Sequence, residues 1–285
     1  MNPLLDRIPN PREGGPVVAR VFPRRTNATP TDALAFYDDP PLWMVECDAV
    51  HVSVAFTYDM ERAALLAAAW KRVAPVSIGG PGAGMRGEEF VPGRYMAPGF
   101  TITSRGCPNK CWFCSVWKRD GALRELPISD GWIVNDDNIL ACSTAHLQRV
   151  GTMLARQPKR PEFRGGLEAA RLTDWHVHWL CGLRPSVMWF AYDAPDDYEP
   201  LVVALRKFKG TDLYTRHRLR CFVLIGSPKD TLDAAEKRLR QVVALGAFPM
   251  AMLWRDDRGR VREDWRTFNR LWARPAIIAM MTRTA

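Results

Sequence analysis

No stretch of this 285-residue sequence approaches the run of about 18 apolar residues that a membrane-spanning helix needs. The opening residues, Met-Asn-Pro-Leu-Leu-Asp-Arg-Ile-Pro, lack the apolar core of a secretory leader. Low-complexity segments and short-period repeats are absent too. The expectation is therefore a soluble, cytoplasmic globular chain with no membrane partner. Cysteine is not scarce, but the seven present (Cys47, Cys107, Cys111, Cys114, Cys142, Cys181 and Cys221) are odd in number. Three of them fall within eight residues. That distribution argues against a disulfide framework and for a metal or cluster site. The scattered four read as small buried hydrophobes.

Charge is unevenly placed. Residues 201–285 hold 18 Lys and Arg against 8 Asp and Glu, whereas residues 1–200 hold 22 against 23. Such an excess suits a phosphate-rich partner. It equally suits two helices, over 230–245 and 263–273, with solvated basic faces, because no aromatic–basic recognition motif accompanies it.

Period-2 alternation predicts strands at 17–22 and at Val50, Val52, Val54 and Phe56. Asp59 is placed to cap a helix through Leu65, Leu66 and Trp70, and 75–78 reads as a further strand. Residues 1–95 thus read as a small Rossmann-like βαβ segment. Residues 96–285 repeat strand and helix, with strands at 100–105, 131–134, 160–164, 187–192, 220–225 and 249–254. Helical patterns lie at 143–157, 173–181, 197–209, 230–245 and 263–273. Six such units make an α/β chain with a parallel sheet, short of the eight that close a barrel.

Directly after the strand Phe100-Thr-Ile-Thr-Ser104 comes Arg105-Gly106-Cys107-Pro108-Asn109-Lys110-Cys111-Trp112-Phe113-Cys114. Three thiolates in one loop at the C-terminal edge of a first strand are suited to an iron–sulfur cluster. Three ligands for four irons leave one iron open to a further ligand. A zinc site would need a fourth ligand, with His176 or His178 as candidates. On a helix those two point apart, and packing with Trp175 and Trp179 suits them better. A ferredoxin-like carrier would bring a fourth cysteine at recognisable spacing.

Cys107-x-x-x-Cys111-x-x-Cys114, with Phe113 before the last cysteine, resembles the signature of the radical S-adenosylmethionine superfamily. The resemblance covers about residues 98–275. It implies a partial (βα)6 barrel and a 4Fe–4S cluster on Cys107, Cys111 and Cys114. It also implies S-adenosylmethionine at the open iron, cleaved to a 5′-deoxyadenosyl radical that takes hydrogen from a substrate at the barrel mouth. An electron donor such as flavodoxin or ferredoxin would supply the electron. The resemblance assigns Phe113 to the adenine. The family's Gly-Gly-Glu segment is replaced by Asn135-Asp136-Asp137-Asn138, which leaves Asp137 or Asn138 to accept from the methionyl ammonium. It assigns Arg164 and Glu168 to the carboxylate or ribose, although such a pair is often a plain surface ion pair. Tyr192 and Asp193 would face the same mouth, Ile225 and Gly226 would border the adenine, and Leu253 to Arg255 the substrate.

The N-terminal segment is similar in layout to that of cobalamin-binding relatives. The Asp-x-His-x-x-Gly cobalt-ligand motif is missing, so no cobalamin is expected. Gly79-Gly-Pro-Gly82 lacks the Lys-Ser/Thr of a P-loop and reads as a turn. The charge bias makes a nucleic acid or nucleotide the first expectation for substrate. A small metabolite is the alternative, and a zinc-stabilised nucleic-acid-binding protein without turnover is the alternative outside the enzymes.

Overall fold

A computed structural model of the chain describes residues 15–43, 45–256, 259–273 and 278. Two parallel sheets organise it. The first is built from β1 (Val18–Val21), β2 (Ala35–Phe36), β3 (Ala49–Ser53) and β4 (Val76–Gly79), in the order β2-β1-β3-β4. Helix α1 (Met60–Trp70) makes the β3–β4 crossover and buries Ala63, Leu66, Ala67 and Trp70 against Ala19, Val21, Val50, Val52 and Val54. The predicted alternation is therefore the core pattern, except that Phe56 is 39% exposed. Asp59 does occupy the N-cap of α1 but makes no capping bond. Its carboxylate instead takes both Nε and Nη2 of Arg24, at 2.9 and 2.7 Å. Arg20 reaches back to the carbonyls of Gly93 and Arg94 at 3.1 and 2.7 Å, fastening the segment before residue 95 to this layer.

The second sheet has six strands in the order β12-β11-β10-β9-β8-β5, every pair parallel. They are β5 (Phe100–Thr101), β8 (Ile133–Val134), β9 (Glu162–Phe163), β10 (Val187–Ala191), β11 (Leu219–Ile225) and β12 (Phe248–Leu253). Neighbours in the sheet are neighbours in this sequence of strands, so crossovers of one hand stack their helices on one face. These are α3 (Thr144–Ala155), α4 (Asp174–Leu183), α5 (Tyr198–Lys207), α6 (Leu232–Ala244) and α7 (Glu263–Trp272). Their apolar sides share one core with Val134, Phe163, Met188, Phe190, Cys221 and Val223.

One predicted strand is broken. The run 100–105 splits into β5 and β6 (Ser104–Arg105), and β6 pairs antiparallel with β7 (Arg124–Glu125). The cause is Asp136, buried at the end of β8. It accepts from the Thr103 N–H at 2.7 Å, the Thr103 hydroxyl at 2.6 Å and the Ser104 hydroxyl at 2.7 Å, turning the chain out of the sheet. Burial pushes this carboxyl up to about 6.

The basic C-terminal helices are solvated faces laced with ion pairs. Arg240 meets Glu236, Arg262 meets Asp264, and Arg266 and Arg270 both meet Glu263, whereas the Arg238–Asp230 pair is largely buried. No helix among the described residues is long and apolar enough to cross a membrane.

Candidate functional site

The cysteine loop, together with α2 (Val116–Arg119), lies between β6 and β7, so both of its stems are fixed. Gly106 starts it at φ +86°, where a Cβ would stand 2.4 Å from the Ala122 carbonyl oxygen; only glycine lets the stems cross there. Asp120, 2% exposed, takes the Gly87 N–H at 2.7 Å and Arg119 Nε at 2.7 Å. Arg119 Nη2 in turn lies 3.8 Å from Asp137, whose other oxygen takes the Gly106 N–H at 2.8 Å. Asp137, expected to meet a ligand ammonium, thus anchors the loop backbone instead.

Cys111 is exposed, and Cys107 and Cys114 are half-buried. Burial raises the Cys111 thiol first, with the charges of Cys114, Cys107, Asp197 and Asp193 adding to it. Burial likewise raises Cys114 most, and the Val116 N–H opposes it. All three thiols lie in the one loop between β6 and β7. Zinc–sulfur bonds of ~2.3 Å would draw tetrahedral ligands to within about 4 Å of each other. Among the described residues no three His, Cys, Asp or Glu converge in that way on a single ion. His176 is committed elsewhere: its Nδ1 accepts from the Thr173 N–H at 3.1 Å, closing a capping box on α4. Phe113 sits edge-on to Trp112, centroids 5.5 Å apart, with Trp112 60% exposed beside it.

Asn138 is the residue that ties the loop to the sheet. It is 4% exposed, and its Nδ2 donates to Cys107 Sγ at 3.4 Å and to Glu168 Oε2 at 2.6 Å. Its Oδ1 is buried and has no hydrogen-bond partner. A buried acceptor without a donor is rare in a folded chain, and one beside a candidate ligand is a natural seat for an N–H or ammonium group. Of the two residues offered for that role, the geometry leaves Asn138 available.

Other expectations are corrected. Arg164 and Glu168 do not form a pair: Arg164 meets Glu162 at 2.7 Å and Glu168 meets Arg171 at 2.6 Å. Tyr192 does not face the strand-end site. It is 4% exposed in the helix-side core and its hydroxyl donates to Gln241 Oε1 of α6 at 2.9 Å. Asp193 does lie on the site side. It accepts from the Leu224 N–H at 3.0 Å, clamping β10 to β11, and burial pushes it up to about 6. The Ile225 side chain is fully buried in the same core as Tyr192, and its carbonyl takes the Trp254 N–H at 2.8 Å. Gly226, at φ +76°, leaves room for Trp265, which a Cβ would meet at 3.1 Å; the packing of α7 accounts for this glycine. Arg255 turns away to the N-terminal layer, over the Tyr58 ring at 4.8 Å. Cys142 and Cys221 are core residues, whereas Cys47 and Cys181 sit half-buried at the core margins. The sequence reasoning missed Asp120 and Asp136, the two carboxylates that shape the loop.

No family model matches this chain and no curated protein matches it, so a functional reading rests on the residues and geometry set out above.

Proposed function

We propose that the protein is a radical S-adenosylmethionine enzyme whose 4Fe–4S cluster is held by Cys107, Cys111 and Cys114. The six sequentially ordered parallel strands then read as a partial (βα)6 barrel, with the cysteine loop at its C-terminal edge, where βα folds carry their chemistry. The observation that carries the reading is the loop itself: three thiols on fixed stems, with the unsatisfied Asn138 Oδ1 beside the first of them. Their donor set suits iron–sulfur ligation.

When bound, the cluster and S-adenosylmethionine would supply one-electron cleavage and a 5′-deoxyadenosyl radical. The chain's own residues have other tasks. Asn138 Nδ2 orients the Cys107 sulfur while Oδ1 offers an acceptor to the ligand ammonium. Asp120, Arg119 and Asp137 hold the loop backbone in register with β8. Phe113 offers a ring to the adenine, and the inner edges of β10 and β11 line the substrate side. The proposed substrate side takes a nucleotide-like or other small acidic molecule, delivered together with an electron from a flavodoxin- or ferredoxin-type donor.

Anaerobic reconstitution with iron and sulfide, then S-adenosylmethionine and dithionite, tests this. A brown protein releasing 5′-deoxyadenosine is expected, with both properties lost in Cys107→Ala, Cys111→Ala and Cys114→Ala. A colourless protein that takes up zinc and no iron would overturn the proposal.

A further inference from the structure

Along β11 the side chains alternate between the two faces of the sheet. Leu219, Cys221, Val223 and Ile225 enter the helix-packed core, so Arg220, Phe222 and Leu224 project from the opposite face. Strand register sets Arg220 beside Trp189, and Phe222 beside Ala191 and Met250. Trp189 and Phe222 stack with centroids 4.1 Å apart and planes 9° from parallel. The Arg220 guanidinium lies over the Trp189 ring, 5.4 Å from its centroid. Next to them Met250 and Met252 are 44% and 43% exposed. A parallel sheet is ordinarily covered on both faces. Apolar side chains left open on one face are a surface prepared for a ligand.

Charge on this face is unbalanced. Arg164 is neutralised by Glu162. Arg220 has no ion pair among the described residues, and its Nε is buried without a hydrogen-bond partner. The five donors of a guanidinium suit a carboxylate or phosphate, and a bound acceptor would satisfy the donor the fold leaves open. Methionine thioethers adapt readily to an aromatic ring.

We propose that this face binds an aromatic ring carrying an anionic group, the anion on Arg220 and the ring against Phe222, Met250 and Met252. Four residues of strand separate Arg220 from Leu224, about 13 Å. An anion anchored at Arg220 therefore sits deep along the sheet, and the rest of the molecule extends toward the strand ends that carry Asp193 and the cysteine loop. That this ligand is the substrate rests on the proposed radical chemistry; the binding itself needs no loaded cluster. The anion has two sources, a nucleotide phosphate or an aromatic carboxylate.

Isothermal titration calorimetry on the full chain separates these. Guanosine 5′-monophosphate is compared with guanosine, and indole-3-acetate with indole-3-ethanol. One acid is expected to bind at least tenfold more tightly than its neutral counterpart, and which one does so names the source. Arg220→Gln should abolish that tenfold difference without changing the affinity for the neutral compound, and Arg220→Lys should restore part of it. Phe222→Ala should weaken acid and neutral compound alike. If neither acid binds, or Arg220→Gln binds it as tightly as the unaltered chain, the proposal fails. The titration is run without a cluster, so a positive result beside absent 5′-deoxyadenosine in the reconstituted protein would reject the radical reading and leave this site standing.

Discussion

The two parallel sheets of this protein solve the same problem differently. In the N-terminal layer the order β2-β1-β3-β4 reverses direction beside β1, and a single helix covers a core of short Val and Ala side chains around Trp70. In the larger sheet the order never reverses, five helices stack on one face, and the other face stays half-open. Strand order alone thus decides where an open surface can exist. A reversing sheet places its crevice at the switch point, whereas a sequential one exposes a whole face. The hydrophobic contacts follow the same division, with one core for each sheet.

The largest effect should come from Trp70→Ala, which empties the centre of the smaller core and should cost about 3–5 kcal/mol. Urea unfolding followed by circular dichroism should then show the N-terminal layer melting first, with the six-stranded unit keeping its midpoint. A single shifted transition would break the comparison. Next is the carboxylate that the larger sheet buries. Asp136 holds its proton to about pH 6 when folded but releases it near its ordinary 3.8 when unfolded. Between those values the folded state binds more protons, so stability falls as pH rises from about 4 to about 6, by about 3 kcal/mol. Asp136→Asn should remove its share of that slope in thermal melts across the range, leaving the share of Asp193, which burial also pushes up to about 6. Asp120→Ala, which takes the acceptor from the Gly87 N–H and from Arg119 Nε, should cost about 1–3 kcal/mol. It should also speed the reaction of Cys111 and Cys114 with a thiol reagent. The smallest effect belongs to the junction of the two layers. Arg255→Ala removes the guanidinium over Tyr58, and a loss of about 0.5–1 kcal/mol with no change in the larger sheet is expected in the same urea series.

Alternation and helical period were legible because single faces are buried. β11 shows it most clearly, with Leu219, Cys221, Val223 and Ile225 in the core and the residues between them out. In β10 the unbroken apolar run Val187-Met-Trp-Phe-Ala191 hides which face each side chain takes, and Tyr192 was assigned to the wrong one. The break between β5 and β6 was not legible either. Thr103 and Ser104 alternate like any strand, and the carboxylate that diverts them lies more than thirty residues away. The cysteine spacing was local and visible. The role of Asp137 depends on Gly106, thirty-one residues away, whereas Arg164 and Glu168 take sequence-local partners, Glu162 and Arg171.

The larger sheet also ends unequally. Its β5 border is two residues long and offers little to pair with, while β12 runs for six and carries Met250 and Met252. A long apolar border of that kind invites a strand from another molecule. Two residues blunt it: Pro249 removes one backbone donor, and Asn269 of α7 gives its Nδ2 to the Ala251 carbonyl at 2.9 Å. The last described helix therefore caps one acceptor of this border, at the residue between the two methionines offered to the proposed ligand.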